Sequence, residues 1–428
     1  MNGNKLIQHI TILVLFFIFI IFVIQFSILY AKEFDNVKTI NFSLSGYYKN
    51  LFIGYKSNEY YDDSIVPQSK SLLADVNRLR ISPHCEIGNN ITFHADIDNE
   101  IIVSNYTQSK TFETSYIGFS YNELYTDSYD YQNDDMYYRF KLHRAYIKAV
   151  AGKSTITVGK QLVRFGSGKI WNPLDIVNPI SPITFEGAEE TRGVNALRLE
   201  LYPANFFEIG FVYVPQRKNN ELDSSSFSTS VYLLRNKIVI GSTEVAFLVG
   251  NIIERNIVGA DIATTVHDGL LRGSVLGNKI DGHVYYVGGA GYEYSFEWGL
   301  TLLLEYFYNG YCLNKNPELL NAYYESIQYG MNQKRYGAVA YNFLTFNEHY
   351  AGISTMFSGA SLFSLQATAI VDLQGEGVIG IPTVSYNIIE DCDLMFYMMY
   401  AIVTGNKPSD FSSFDKKPFI AFALKYYF

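Results

Sequence analysis

The chain has 428 residues, a formal net charge of −9, 36 Tyr and 31 Phe against only 2 Trp, and a mean hydropathy of +0.02. The acidic balance argues against nucleic acid as a partner, which favours a basic surface. Cys85, Cys312 and Cys392 are odd in number and far apart, so they read as unpaired packing residues and not as a disulfide framework.

Residues 1–31 carry Lys5 as their only charge and run almost unbroken in apolar side chains from Ile10 to Tyr30. This reads as an export signal cut after Ala31, with 32–428 as the mature chain. Cleavage removes one of 33 basic residues against 42 acidic ones, for a net charge of −10. Leu29 is larger than a signal peptidase prefers three residues before its cut, and the run is long enough to span a bilayer, so an uncleaved anchor is the alternative. No Cys follows the run directly, which argues against a lipoprotein.

Beyond Lys32 no second run is long enough for a transmembrane helix. Short segments of alternating apolar and polar residues take over, separated by Gly, Asn, Asp and Pro. The clearest are 91–103, 154–163, 194–202, 206–214, 243–250, 257–265, 284–296, 300–308, 362–372 and 394–403. In the third, Leu197, Leu199 and Leu201 share one face while Arg198 and Glu200 share the other, one suited to lipid and one to water.

The connections alternate in length. Short ones fall at 88–90, 151–153, 202–205, 236–237, 268–270, 297–299, 358–360 and 390–393, and long ones around 56–69, 105–136, 165–191, 215–225, 311–343 and 404–416. Three connections on the long side, near Asn251, Lys279 and Gln374, are themselves short. Short periplasmic turns alternating with longer outer loops describe an outer-membrane barrel. The tally predicts an all-β fold, a transmembrane antiparallel β-barrel of about eighteen strands, with sixteen as the alternative and both termini periplasmic. Loop 105–136, rich in Tyr, Asp, Asn and Ser, reads as a solvated surface loop. No compositional break marks a plug or a second domain.

The third outer loop follows Gly159-Lys160-Gln161-Leu162-Val163-Arg164-Phe165-Gly166-Ser167-Gly168-Lys169-Ile170-Trp171-Asn172-Pro173-Leu174-Asp175-Ile176-Val177-Asn178-Pro179. Gly166 and Gly168 permit a sharp bend, and the steps into Pro173, Pro179 and Pro182 impose extended or turn geometry. Trp171, Leu174, Ile176 and Val177 are unsuited to a solvated tip, so the loop is expected to fold inward against the barrel wall. Basic residues cluster around it: Arg78 and Arg80 on one strand face, Arg144 and Lys148 on another, then Arg164, Lys169, Arg192 and Arg198. Asp75, Asp175, Glu186, Glu189, Glu190 and Glu200 are the acids available to face them. Opposed charges across a constriction filter ions by sign and size. The alternative is a set of ion pairs that brace the wall and select nothing. The expected constriction comprises Arg164, Lys169, Trp171, Asn172, Asp175, Asn178 and Arg192, with Arg78, Arg80, Arg144, Arg198 and Glu200 on the wall. Arg164, Lys169 and Arg192, which flank the loop, are favoured for a pore role.

The chain closes with Ile420, Phe422, Leu424, Tyr426 and Phe428 alternating with Ala421, Ala423, Lys425 and Tyr427. Soluble chains rarely end this way, since ends are usually polar and frayed. The segment resembles the C-terminal recognition strand of Gram-negative outer-membrane barrels. That resemblance implies a bacterial outer-membrane location, closure against the first strand, and Phe422, Leu424, Tyr426 and Phe428 as the signal read by the barrel-insertion machinery.

From Gly159 to Pro179 the order glycine, basic residue, Gln, an Arg-aromatic-Gly turn, Trp-Asn-Pro-x-Asp and Asn-Pro resembles the bacterial outer-membrane porin-like proteins, the group that includes the alginate-export and phosphate-selective porins. Arg78-Leu79-Arg80 adds weaker support. The resemblance implies a diffusion or export channel for small polar or charged solutes in outer-membrane lipid, as a monomer or trimer. The alternative is a barrel scaffold that presents loops 105–136 and 311–343 to a surface ligand or partner, as an adhesin does.

Nothing points to catalysis. The seven His are scattered with no two at metal-ligand spacing, so neither a metal nor another cofactor is expected. Ser82-Pro83-His84 with Glu86 is the nearest approach to a catalytic group, but it falls at the periplasmic end of its strand. His143 beside Arg144 reads as an ordinary strand residue. Gly288, Gly289 and Gly291 lie within a Tyr-rich strand, where small residues make room for bulky neighbours.

Overall fold

The computed structural model describes residues 40–56, 71–107, 128–133, 135–183, 190–215, 230–252, 255–280, 283–317, 320–321, 345–360, 362–405 and 407–428. The expected export signal 1–31, Glu186, Glu189 and most of the second and seventh long loops lie outside them. Nineteen strands are described: β1 (Ile40–Lys56), β2 (Ser71–Ile87), β3 (Ile91–Ser104), β4 (Ser128–Gln132), β5 (Met136–Ala151), β6 (Ser154–Gln161), β7 (Val194–Ala204), β8 (Phe207–Val214), β9 (Val231–Ile240) and β10 (Thr243–Ile252), followed by β11 (Arg255–Val266), β12 (Gly269–Ile280), β13 (His283–Ser295), β14 (Leu300–Asn309), β15 (His349–Ala360), β16 (Phe363–Asp372), β17 (Gly377–Ile389), β18 (Cys392–Val403) and β19 (Phe419–Tyr427).

Each strand pairs antiparallel with its successor, except that β3 passes over β4 to β5, and β19 returns to β1. The result is a closed barrel of eighteen strands with β4 as an extra, so the sixteen-strand alternative falls. Closure of β19 on β1 leaves the eighteen-strand ring without a free end strand. The expected alternation holds along the last strand: Phe422, Leu424, Tyr426 and Phe428 are exposed outside, while Ala421, Ala423 and Lys425 are buried inside. Along β7, Leu199 and Leu201 face out, and Arg198 and Glu200 pair inside at 2.5 Å.

Three expectations are corrected. The turn expected at 236–237 lies instead at Gly241, whose φ of +61° suits glycine, and Asn236 and Lys237 sit within β9. Asn is a common turn former, but here Lys237 reaches Glu208 inside the barrel at 3.3 Å. Asp75 does not face the basic residues of the lumen. It lies on the outer face of β2, where Asn50 Nδ2 and Asn77 Nδ2 donate to it at 2.6 and 3.3 Å. Loop 105–136 is not wholly a solvated excursion, because β4 within it joins the wall. Residues 128–132 pair with residues 137–141 of β5, and β6 pairs only with 145–151 of that strand. Since β3 occupies the other flank of β5, β4 fills the stretch of edge that β6 leaves bare when its chain turns inward.

Candidate functional site

β6 leaves the wall at Gln161, and the chain bends at Gly166, whose φ is +83°. From there the loop lies on the inner wall. Val163, Phe165, Leu174, Ile176 and Val177 pack in one cluster with lumen-facing Val212, Leu233, Leu248, Ile257 and Leu276. Trp171 packs in the adjoining cluster with Val287, Phe307, Tyr350 and Ile379. Burying each such side chain contributes about 1.5–3 kcal/mol, so water cannot compete for the loop. Glycines on the wall make the room. A Cβ on Gly259 would lie 2.4 Å from Leu174 Cδ2, and one on Gly352 would lie 2.7 Å from Ile170 Cδ1.

Two wall carboxylates fix the loop's height. Glu305 of β14 accepts the backbone N–H groups of Lys169, Ile170 and Trp171 at 2.8, 2.8 and 3.1 Å. Asp261 of β11 accepts the backbone N–H and hydroxyl of Ser167 at 3.1 and 2.9 Å. The loop also staples itself: Asn172 Nδ2 donates to the carbonyl of Phe165 at 2.7 Å, Val163 N donates to Asn178 Oδ1 at 2.9 Å, and Asn178 Nδ2 donates to the carbonyl of Arg192 at 2.9 Å. Trp171, Asn172, Asp175 and Asn178 therefore form the buried body of the loop, while Lys169 is exposed and Arg164 half-buried.

Arg164 Nε donates to Asp175 Oδ2 at 2.5 Å, and Asp175 Oδ1 is buried without a partner. Burial pushes the Asp175 carboxyl up to about 7, against the opposing pull of the Arg164 guanidinium. Burial prevails because Arg164 keeps a third of its side chain in solvent, where its charge is screened.

Across the lumen stands a cationic wall formed by β19, β1, β2, β3, β5 and β6. Among the described residues it carries Lys49, Arg78, Arg80, Arg139, Lys141, Arg144 and Lys425 against Asp96, Asp98 and Glu100. A bulge in β5 opposite Asp96 and Ile97 inserts His143 as an extra, fully buried residue, and so keeps Arg139 and Lys141 above it and Arg144 below it all facing inward. The wall pairs are tight: Arg78 Nε to Glu100 at 2.5 Å, Arg139 Nη2 to Glu100 at 2.5 Å and Arg80 Nε to Asp98 at 2.6 Å. Lys425 lies over the rings of Tyr47 and Tyr427, at 4.2 and 4.8 Å from their centroids.

The returning end of the loop meets this wall at Glu190. Its carboxylate accepts from Tyr47 Oη at 2.8 Å, Arg78 Nη1 at 2.7 Å and Arg80 Nη2 at 3.1 Å, with Lys49 Nζ at 3.8 Å. Burial alone would raise its pKa, but Arg78, Arg80 and Lys49 together hold it well below the usual carboxylate range. Next to it, Arg144 Nη2 donates to the carbonyl of Thr191 at 3.0 Å. On the short-turn side lies a cavity of about 400 Å³ lined by Tyr47, Arg80, Ser82, His94, Asp96 and Arg144 among others.

The structure thus brings Arg78, Arg80, Arg144 and the Arg192 end of the loop together, and Arg164 with Asp175. Arg198 and Glu200 pair with each other nearer the short-turn rim, away from this cluster. Sequence reasoning missed Tyr47, Lys49, Lys141 and Lys425. Their inward positions follow from alternation, but their convergence needs the pairing of β19 with β1. Ser82 donates to Asp96 at 2.7 Å and His84 contacts Glu86 at 3.2 Å, so these residues do not assemble as a nucleophile with its base. Among the described residues, no three His, Cys, Asp or Glu are placed to hold a metal ion.

No family model matches the chain, and no curated protein matches it in sequence. Solved structures match the fold. Pseudomonas aeruginosa OccK11 (OpdR) superposes with a TM-score of 0.53 at 9% identity over 90% of this chain and 95% of that one. Acinetobacter baumannii OccAB2 gives 0.53 at 8% over 91% and 98%, and Pseudomonas aeruginosa OpdQ gives 0.52 at 10% over 91% and 99%. At these identities the likeness is one of architecture.

Proposed function

We propose that the chain is an outer-membrane channel for small polar or charged solutes, within the broad porin-like group and without catalytic activity. The observation that carries this reading is the third loop. It is seated across the lumen on one wall and brought at Glu190 against a wall with more fixed cations than anions. In a narrow, low-dielectric passage such a wall concentrates counter-ions, so the charge balance favours anions. Arg164 and Lys169 on the loop, with Arg78, Arg80 and Arg144 opposite, line this filter. Residues 1–31 serve as the export signal in this reading, and Phe422, Leu424, Tyr426 and Phe428 mark the strand for insertion.

The scaffold alternative has less support. On the long-loop rim Asn347 Nδ2 donates to Asp372 at 2.8 Å and to the carbonyl of Pro408 at 3.1 Å, and Tyr350 donates to Asp410, so the described ends of loops seven and nine are built into the rim. The test is single-channel recording of refolded protein in a planar bilayer with a potassium chloride gradient. Stable steps with a reversal potential on the chloride side support the reading, and a folded barrel that carries no current overturns it.

A further inference from the structure

Each arginine of β2 already has a wall carboxylate. Arg78 Nε donates to Glu100, and Arg80 Nε and Nη2 donate to Asp98 at 2.6 and 2.9 Å. Both acids are fully buried on a strand. The remaining guanidinium edges turn toward the lumen, where Tyr47 Oη and Lys49 Nζ join them, and all four side chains are at least nine-tenths buried. One hydroxyl, one ammonium and two guanidinium edges aimed at one point form a receptor for an oxyanion. Its present occupant, Glu190, comes from the loop rather than from a strand.

We infer that Glu190 is a tethered counter-anion, whose carboxylate fills an oxyanion site that a solute's carboxylate or phosphate group takes in exchange as it passes. This rests on the channel reading above. The exchange swaps one anion for another, so Arg78, Arg80 and Lys49 never stand buried and uncompensated, a state that is strongly destabilising. The adjoining cavity, at about 400 Å³, gives the body of a small solute a place beside the site. Glu190 thereby sets how tightly the channel holds anions, and its removal leaves the site open to them.

Inorganic phosphate is the probe. Wild type, Glu190→Gln and Glu190→Asp are compared by the phosphate concentration that halves the chloride current, by reversal potential, and by unfolding midpoint in detergent across a phosphate series. Glu190→Gln keeps an acceptor for Tyr47 and loses the charge. Its half-blocking concentration is expected to fall about tenfold, its midpoint to rise with phosphate more steeply, and its reversal potential to move toward that of chloride. Glu190→Asp withdraws the carboxylate by one methylene, is expected to fall between, and decides the matter should Glu190→Gln fail to fold. Equal phosphate dependence in all proteins, by current and by unfolding, overturns the inference and makes Glu190 a brace. If no protein carries current, the channel reading fails separately. The unfolding series then still decides: steeper phosphate stabilisation of the variants supports the anion site, and no difference overturns it.

Discussion

The indole of Trp171 lies flat on the ring of Phe307, with 5.4 Å between centroids and 7° between planes, so the third loop is registered on β14 by an aromatic stack as well as by Glu305. Trp298 is the only other tryptophan and is exposed at the short-turn rim. A Trp298→Phe background therefore makes Trp171 a sole reporter of loop position, with emission expected to be blue. Adding Glu305→Ala strips three loop N–H groups of their acceptor, each such charged hydrogen bond being worth about 1.5–3 kcal/mol. The emission should shift red and the unfolding midpoint fall. An unchanged spectrum would mean that apolar packing alone seats the loop.

Asp175 gives the filter a pH dependence. Its folded pKa, about 7, lies above its ordinary value, so the neutral acid is favoured in the barrel. The associated stability is complete below about pH 4 and is lost as pH rises through 7. Below pH 7 the Arg164 charge faces the lumen without a negative partner, and above it the pair is neutral overall. Anion preference should thus weaken between pH 6 and 8, and Asp175→Asn should flatten that change. A reversal potential that tracks pH equally in both proteins would place the titrating group elsewhere.

Arg80 and Arg164 should respond differently to truncation. Arg80→Ala leaves Asp98, fully buried, short of its closest partner and should cost on the order of 3 kcal/mol in urea unfolding. Arg164→Ala removes a half-exposed charge whose partner can take up a proton, and should change stability by less than about 1 kcal/mol while reducing anion selectivity. Similar stability losses in both would contradict the placement of Arg164 at the lumen edge.

The strands were legible in sequence where an exposed apolar face alternated with an inward polar one. Segment 91–103 matches β3, and 300–308 matches β14, each within one residue at either end. β2 was hard to read because Asp75 and Asn77 interrupt its outward face. The inward loop was legible for a local reason: prolines and glycines that forbid a strand, joined to apolar residues that refuse water. The receptor around Glu190 was not. Tyr47, Lys49 and Arg78 face one another across the β1–β2 pairing, but Glu190 lies more than 140 positions from Tyr47 and reaches them only because the third loop folds across the lumen. Lumen-facing Gly259 and Gly352 were the overlooked signal, since a missing side chain on a wall marks where something else lies.

Closure itself can be probed at the seam. Gly46 N donates to the carbonyl of Phe428 at 2.9 Å, and Phe428 N donates to the carbonyl of Gly46 at 3.1 Å. A Cβ at Gly46 would lie 2.2 Å from the Arg80 carbonyl oxygen and 2.8 Å from the Phe428 ring. Gly46→Ala should therefore destabilise the barrel by about 1–3 kcal/mol through overpacking. Deleting Phe428 should lower the yield of barrel resistant to detergent unfolding on gels, and an undiminished yield would remove Phe428 from the assembly signal.

β4 changes what the second long loop is free to do. Long loops tolerate change in sequence and length when nothing beneath depends on them, yet this one carries the patch that covers the bare flank of β5. Residues 128–132 are bound to the wall's integrity. A wholesale excision would open a side window between lumen and lipid, so an altered current after such surgery would report a leak and say nothing of lost recognition.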